Sequence, residues 1–193
     1  MTLDPDDRVL TTTLPGVWQI GATNFPMWVT GERIAPSFRY EILAKHPLKL
    51  CDTVTWLTPA GETRSIRGVD TWKENGFRWR GRKLLSLVSS RWSVASIDRA
   101  GTIAVIRFTR TRVTPAGIDI VIRKDETVTP EGMRAVRATV AADPESFGVS
   151  TEEFAGLTWL DFSAQTGAAH TDVPETAVPE TAVPQTLTAP EAP

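Results

Sequence analysis

From Gly16 to Arg123 apolar and polar residues alternate with a period of two, in short runs broken by Pro, Gly, Asn and Asp. Such alternation marks strands with one face buried and one face wet. Val17-Trp18-Gln19-Ile20 opens the series. Ser37 to Lys45 follows, with Phe38, Tyr40, Ile42 and Ala44 on one face and Arg39, Glu41 and Lys45 on the other. In Leu50 to Thr58 the apolar face carries Leu50, Asp52, Val54 and Trp56, and Pro59-Ala60-Gly61-Glu62 makes the turn after it. Thr63 to Trp72, Phe77 to Gly81, Lys83 to Val88, Trp92 to Asp98, Thr102 to Arg110 and Gly117 to Arg123 continue the pattern. The short turns between them favour nearest-neighbour antiparallel hairpins. Counting Phe77 to Val88 as one bent strand or two gives eight or nine strands.

Helical spacing comes late. Thr129 suits an N-cap and Pro130 and Glu131 a first turn, while Met133, Val136 and Val140 recur on one face up to Ala142. Ser150-Thr151-Glu152-Glu153 resembles a second helix start, with Phe154 and Leu157 on its apolar side. Helices that follow the strands, without interleaving, disfavour a parallel α/β fold. The expected class is mainly β: an antiparallel up-and-down barrel of about eight strands with C-terminal helices, spanning residues 14–163. Residues 1–13, polar and acidic, read as a flexible arm. Gly21 to Pro36 is too broken for a long element yet holds Phe25, Met27, Trp28 and Ile34, so it is expected to fold over the open end of the barrel.

Residues 164–193 carry a five-residue repeat, Val-Pro-Glu-Thr-Ala twice and then Val-Pro-Gln-Thr from Val173 to Thr186, and no bulky aromatic, the composition of a disordered tail. The tail carries Asp172, Glu175, Glu180 and Glu191 and no Lys or Arg, so the formal charge of −2 belongs to it; the body keeps 21 basic and 19 acidic residues. A near-neutral body argues against nucleic acid as the main partner. No run approaches the ~18 apolar residues of a membrane span, and no signal-like run opens the chain. Cys51 is the sole cysteine. A fold without disulfides points to a reducing, cytoplasmic setting.

Gly16-Val17-Trp18 resembles the GxW signature that opens the first strand of lipocalins, members of the calycin superfamily. The resemblance implies that Trp18 closes the narrow end of the barrel and that an arginine near the last strand packs across its ring. Here that arginine would be Arg123, in Ile120-Val121-Ile122-Arg123. The lipocalin motif between central strands is not evident, and neither is the glycine-rich nitrobindin motif. No particular ligand comes with the resemblance.

All seven tryptophans lie in the body. A tryptophan on a strand can be plain core. Yet an eight-stranded barrel has little interior, and Phe38, Tyr40, Trp56, Phe77, Trp79 and Trp92 would all point into it. These rings, with Trp28 as a lid, are the candidate contacts for a hydrophobic or aromatic small molecule. The basic and aromatic residues of Gly76 to Lys83 alternate, which places rings and charges on opposite faces and suits a solvated outer wall better than a nucleic-acid groove. A smaller option has Arg78 or Arg80 facing the mouth to receive a ligand carboxylate. Ile103 to Phe108 is apolar on both faces, so its outer side needs cover from the Pro130 helix or from a second copy in a homodimer.

Signals for catalysis are sparse. There is no metal-spaced Cys/His cluster, phosphate loop or nucleophile elbow, and neither a metal nor a cofactor is expected. The histidines are His46, before Pro47, and His170 in the tail. Asp52 and Asp70 share faces with apolar residues, where a carboxyl would have a raised pKa. With Tyr40 as hydrogen-bond donor they are candidate acid–base groups for a small cyclase, isomerase or lyase. The leading expectation is sequestration of an apolar guest, with such an enzyme in the same cup as the alternative.

Overall fold

A computed structural model describes residues 2–3, 5–82, 87–111, 115–124 and 128–160. Residues 161–193, with the tail expected to be disordered, and residues 83–86 of the run from Lys83 to Val88 lie outside the described residues. Eight strands make a continuous antiparallel circuit: β2 (Gly16–Thr23), β3 (Ile34–Lys45), β4 (Leu48–Leu57), β5 (Thr63–Lys73), β6 (Gly76–Gly81), β7 (Ser89–Asp98), β8 (Ile103–Thr109) and β9 (Gly117–Arg123). Each pairs with its sequence neighbour, and β9 pairs back onto β2, which closes the barrel. Two short strands are added at its edges. β1 (Thr2–Leu3) lies against β7, and β10 (Thr158–Trp159) lies against β2. The barrel expected from the two-residue period is therefore present, with Phe77 to Gly81 as a strand separate from the one that begins at Ser89.

The segment read as a flexible arm contains a helix, α1 (Asp7–Thr13), capped by Asp6, whose carboxylate accepts from the amides of Arg8 and Val9. Leu10 and Leu14 are fully buried and join the interior cluster beside Trp18, so α1 stops that end of the barrel. The polar look of residues 1–13 hid this because Leu10, with Leu14 just past the helix end, suffices to dock so short a helix. At the opposite end the link between β2 and β3 holds a single helical turn, α2 (Pro26–Val29). Most of the broken segment Gly21 to Pro36 is thus ordered: its first residues extend β2, and its last begin β3.

Ile103 and Val105 of β8 face outward, as do Ile118 and Ile120 of β9, and all four are buried. Their cover is the chain's own C-terminal part: α3 (Pro130–Ala142), a 3-10 turn at Glu145–Phe147 and α4 (Thr151–Ala155). Thr129 caps α3 by accepting from Gly132, and Ser150 with Glu153 forms a capping box at α4. Arg107 on the outer face of β8 grips Glu153 with both guanidinium arms, at 2.7 and 2.8 Å, and pins α4 in place. No described helix is long and apolar enough to cross a membrane.

Candidate functional site

Two rows of side chains cross the barrel interior, and strand register explains both. In an antiparallel pair, residues directly opposite point to the same side of the sheet. Tyr40 lies opposite Asp52 and Asp52 opposite Gly68; two positions along β5, Asp70 lies opposite Trp79, and Trp79 opposite Ser90. A polar belt thus runs from β3 to β7. The second row is aromatic. Trp72 lies opposite Phe77, Phe77 opposite Trp92 and Trp92 opposite Phe108, with ring centroids 4.9 Å apart for the first pair and 4.4 Å for the second. Phe25, from the loop after β2, meets Phe108 edge-on at 5.0 Å and lies over Gly117, where any side chain would collide with its ring.

The rows touch at two points. Tyr40 stacks on Trp92 at 5.5 Å, with Phe38 beyond it at 6.0 Å. The Trp92 indole N–H donates to Asp70 Oδ1 at 2.7 Å. Gly68 makes room for Trp79: a Cβ there would stand 2.2 Å from Nε1 and Cε2 of the indole, so the ring lies flat over the β5 backbone. Since Gly68 is the partner of Asp52, this brings the Trp79 N–H beside the Asp52 carboxyl. The approach lowers the Asp52 pKa in part, although no hydrogen bond of ordinary geometry joins the two.

Burial dominates the electrostatics. It pushes Asp52 up to about 7 and Asp70 well above the ordinary carboxylate range, with the nearby Asp52 charge adding to the rise at Asp70 and the Trp92 bond opposing it. A third acid, Asp119 on β9, accepts from Thr23 Oγ1 at 2.6 Å and is also pushed by burial to about 7. Burial and the charges of Asp52, Asp70 and Asp119, in that order, raise the Tyr40 phenol well above its usual value. None of the described Lys, Arg or His side chains is buried, and the shifts of these four groups arise without a cation beside them.

Six buried side-chain polar atoms among the described residues have no hydrogen-bond partner, and five of them sit on inward-facing positions: Asp52 Oδ1, Asp70 Oδ2, Asp119 Oδ2, Trp79 Nε1 and Ser90 Oγ. Folded proteins leave few such atoms unpaired. Four of them lie on the adjacent strands β4 to β7 and the fifth on β9, a concentration that distinguishes this interior from an ordinary aromatic core. The described residues hold no cluster of three or more His, Cys, Asp or Glu placed to bind a metal.

All the aromatic side chains singled out in the sequence converge here: Trp28, Phe38, Tyr40, Phe77, Trp79 and Trp92 are buried in one cluster, and half-buried Trp56 packs against it. Asp52 and Asp70 are mid-strand and buried. Asp119, Ser90 and Gly68 were not singled out. The run Ile118-Asp119-Ile120-Val121 held the signal for Asp119, an acid inside an otherwise apolar strand. Arg78 and Arg80 do not face the mouth; both are exposed on the outer wall, where with Val69, Thr71 and Lys73 they line an open groove of about 360 Å³ outside the barrel. At the mouth, Arg33 sets its guanidinium between Trp28 and Trp56, 5.7 and 5.1 Å from their ring centroids. At the stopped end Arg123 lies over Trp18, 4.3 Å from its centroid, and donates to the carbonyls of Thr13, Pro15 and Gly101. Trp18 itself donates to Leu14 O at 2.8 Å.

No family model and no curated protein matches the sequence. The fold is similar to that of solved lipocalins. H1 crustacyanin from the lobster Homarus americanus superimposes with a TM-score of 0.51 at 11% identity, over 84% of this chain and 88% of that one. The siderocalin Ex-FABP gives 0.50 at 18% identity, over 80% and 97%. The cockroach allergen Per a 4 gives 0.51 at 13% identity, over 74% and 83%. Strand order, closure and the helix after the last strand thus define a lipocalin-like barrel.

Proposed function

We propose that the protein binds a small, largely apolar molecule inside the barrel, entering past the loop that carries α2. The observation that carries this reading is the set of five unpartnered polar atoms, four on the wall from β4 to β7 and one on β9, in an interior lined by aromatic rings. Apolar area leaving water supplies affinity at ~25 cal/mol per Å2, and one or two polar contacts fix orientation. The lipocalin-like fold supports a binding role in general, and the siderocalin Ex-FABP is described as working through dual ligand specificities. Entry requires the Arg33 clasp between Trp28 and Trp56 to part and the stacked Tyr40, Trp92 and Phe77 rings to slide, because their present spacing leaves no gap for a further ring between them. The single half-buried Cys51 suits a reducing compartment such as the cytoplasm.

The test is a titration of the full chain with a panel of neutral apolar compounds, followed by tryptophan emission. Saturable change near one equivalent is expected for at least one compound class. A flat response across the panel overturns the proposal. A second reading, acid–base catalysis on an apolar substrate, is favoured by the burial of Asp52 and Asp119, which pushes both up to about 7, where a carboxyl can both give and take a proton. Turnover lost in Asp52→Asn with ligand affinity kept would select it.

A further inference from the structure

Of the barrel's eight strands, four deliver a titratable group to the interior: Tyr40 from β3, Asp52 from β4, Asp70 from β5 and Asp119 from β9. The inward groups of the others are uncharged: Trp18 and Ile20 on β2, Phe77 and Trp79 on β6, Ser90, Trp92 and Val94 on β7, Ala104, Ile106 and Phe108 on β8. The middle of the interior therefore carries acids, and the described cations that touch its rings, Arg33 on Trp28 and Trp56 and Arg123 on Trp18, lie at the two ends.

Asp52 and Asp70 are diagonal neighbours on adjacent strands, a spacing of roughly 7 Å between backbones. Each keeps one buried oxygen without a partner, and so does the Ser90 hydroxyl, which belongs to no acidic cluster and is itself more than nine-tenths buried. These atoms accept hydrogen bonds. A neutral hydrocarbon guest would leave them as they are, and an anion would find no positive charge among them and would oppose their ionisation. A metal ion is disfavoured because the described carboxylates do not close into a coordinating group. What fits is a larger cation with N–H donors, spread over acceptors several ångströms apart and joined to a body that can lie against ring faces.

Resting on the binding role proposed above, we infer that the guest is an organic amine in its protonated form, its ammonium held by Asp52 and Asp70 and its apolar body stacked against Tyr40 and Trp92. Binding would ionise one of the two acids to balance the ammonium and drive off the proton that burial makes it keep, while the other acid stays protonated and shares the charge through a hydrogen bond. Association is then tighter as pH rises towards and past 7.

The experiment compares three probes of one size on the full chain by calorimetry: 2-naphthylmethylamine, 2-naphthylmethanol and 2-naphthoate. At pH 8 the amine should bind at least tenfold more tightly than the alcohol, with the carboxylate weakest. In the Asp52→Asn/Asp70→Asn variant the ratio of amine to alcohol affinity should fall to about one. With the unaltered protein, moving from pH 8 to pH 5.5 should weaken the amine severalfold relative to the alcohol; this arm needs no variant to fold. Equal binding of amine and alcohol at pH 8, or a ratio insensitive to both the pH change and the substitutions, overturns the amine inference and leaves the binding role standing. Failure of all three probes to bind removes the binding role and the inference with it.

Discussion

The indole N–H of Trp92 donates to Asp70 Oδ1 at 2.7 Å, inside a closed barrel where Asp70 is fully buried. The bond joins the polar belt of β3 to β7 to the aromatic row of β5 to β8, so the ring that stacks on both Tyr40 and Phe77 is held by the acid two strands away. Removing the acceptor leaves a buried donor unpaired. Asp70→Asn keeps an acceptor in place, whereas Asp70→Ala removes it and opens a gap. The alanine variant should therefore be less stable than the asparagine variant by about 2 kcal/mol, read as a lower urea midpoint at pH 8.

Asp119 makes stability depend on pH with a defined sign. Its folded pKa, about 7, lies above the ordinary value of 3.8, so the folded chain holds a proton that the unfolded chain releases. Stability from this group is complete below about pH 4 and declines as pH rises to about 7, by up to roughly 4 kcal/mol. Asp119→Asn can still accept from Thr23 and should flatten that decline. Urea midpoints at pH 5 and pH 8, compared between the two proteins, measure it.

Gly68 should tolerate nothing larger. With a Cβ at 2.2 Å from the Trp79 ring, Gly68→Ala must push the indole off β5, and overpacking of this kind destabilises by about 1–3 kcal/mol. The same variant should shift the tryptophan emission of the native state, since the ring is moved away from Asp52. An unchanged midpoint and spectrum would show that Trp79 does not lie over Gly68.

Much of the fold was legible because a period of two survives wherever a barrel strand has a wet outer face; β3 and β4 are the plainest cases. Thr129 before Pro130 and Ser150 before Glu153 marked two helix starts by capping chemistry alone. The site was half legible. Strand parity turned Tyr40, Asp52, Trp56, Asp70 and Trp79 inward, but their adjacency depends on cross-strand register, which no single strand encodes. Bulges also shift parity: β7 turns both Val94 and Ile97 inward because its register slips between Val94 and Ser96. Ser96 then faces out and donates to Phe147 O at 2.8 Å. Leu10 escaped notice because one buried leucine in a polar helix leaves no periodic trace.

The Arg107–Glu153 pair should govern the acid limb of stability. The Arg107 hydrogen bonds hold the Glu153 carboxyl at about 2, well below its ordinary value, and the cap amide of Ser150 adds to this. A depressed pKa stabilises above the unfolded value of 4.5 and loses that contribution as pH falls towards 2. The side chains are over a third exposed, so solvent screening limits the effect to about 1 kcal/mol. Glu153→Gln should cost about that much at pH 7 and show a shallower loss between pH 4.5 and pH 2 in thermal melts.

The central claim, that the barrel interior is the binding site, is tested most directly by the indole N–H resonances of the seven tryptophans during a titration with a ligand found to bind. Trp79 and Trp92 lie on the inner wall, Trp18 is locked at the stopped end by its bond to Leu14 O, and Trp159 packs outside the barrel near α4. Saturation should shift Trp79 and Trp92 strongly and leave Trp18 and Trp159 in place. Shifts confined to Trp159 and Trp18, with Trp79 and Trp92 unmoved at saturation, would contradict it.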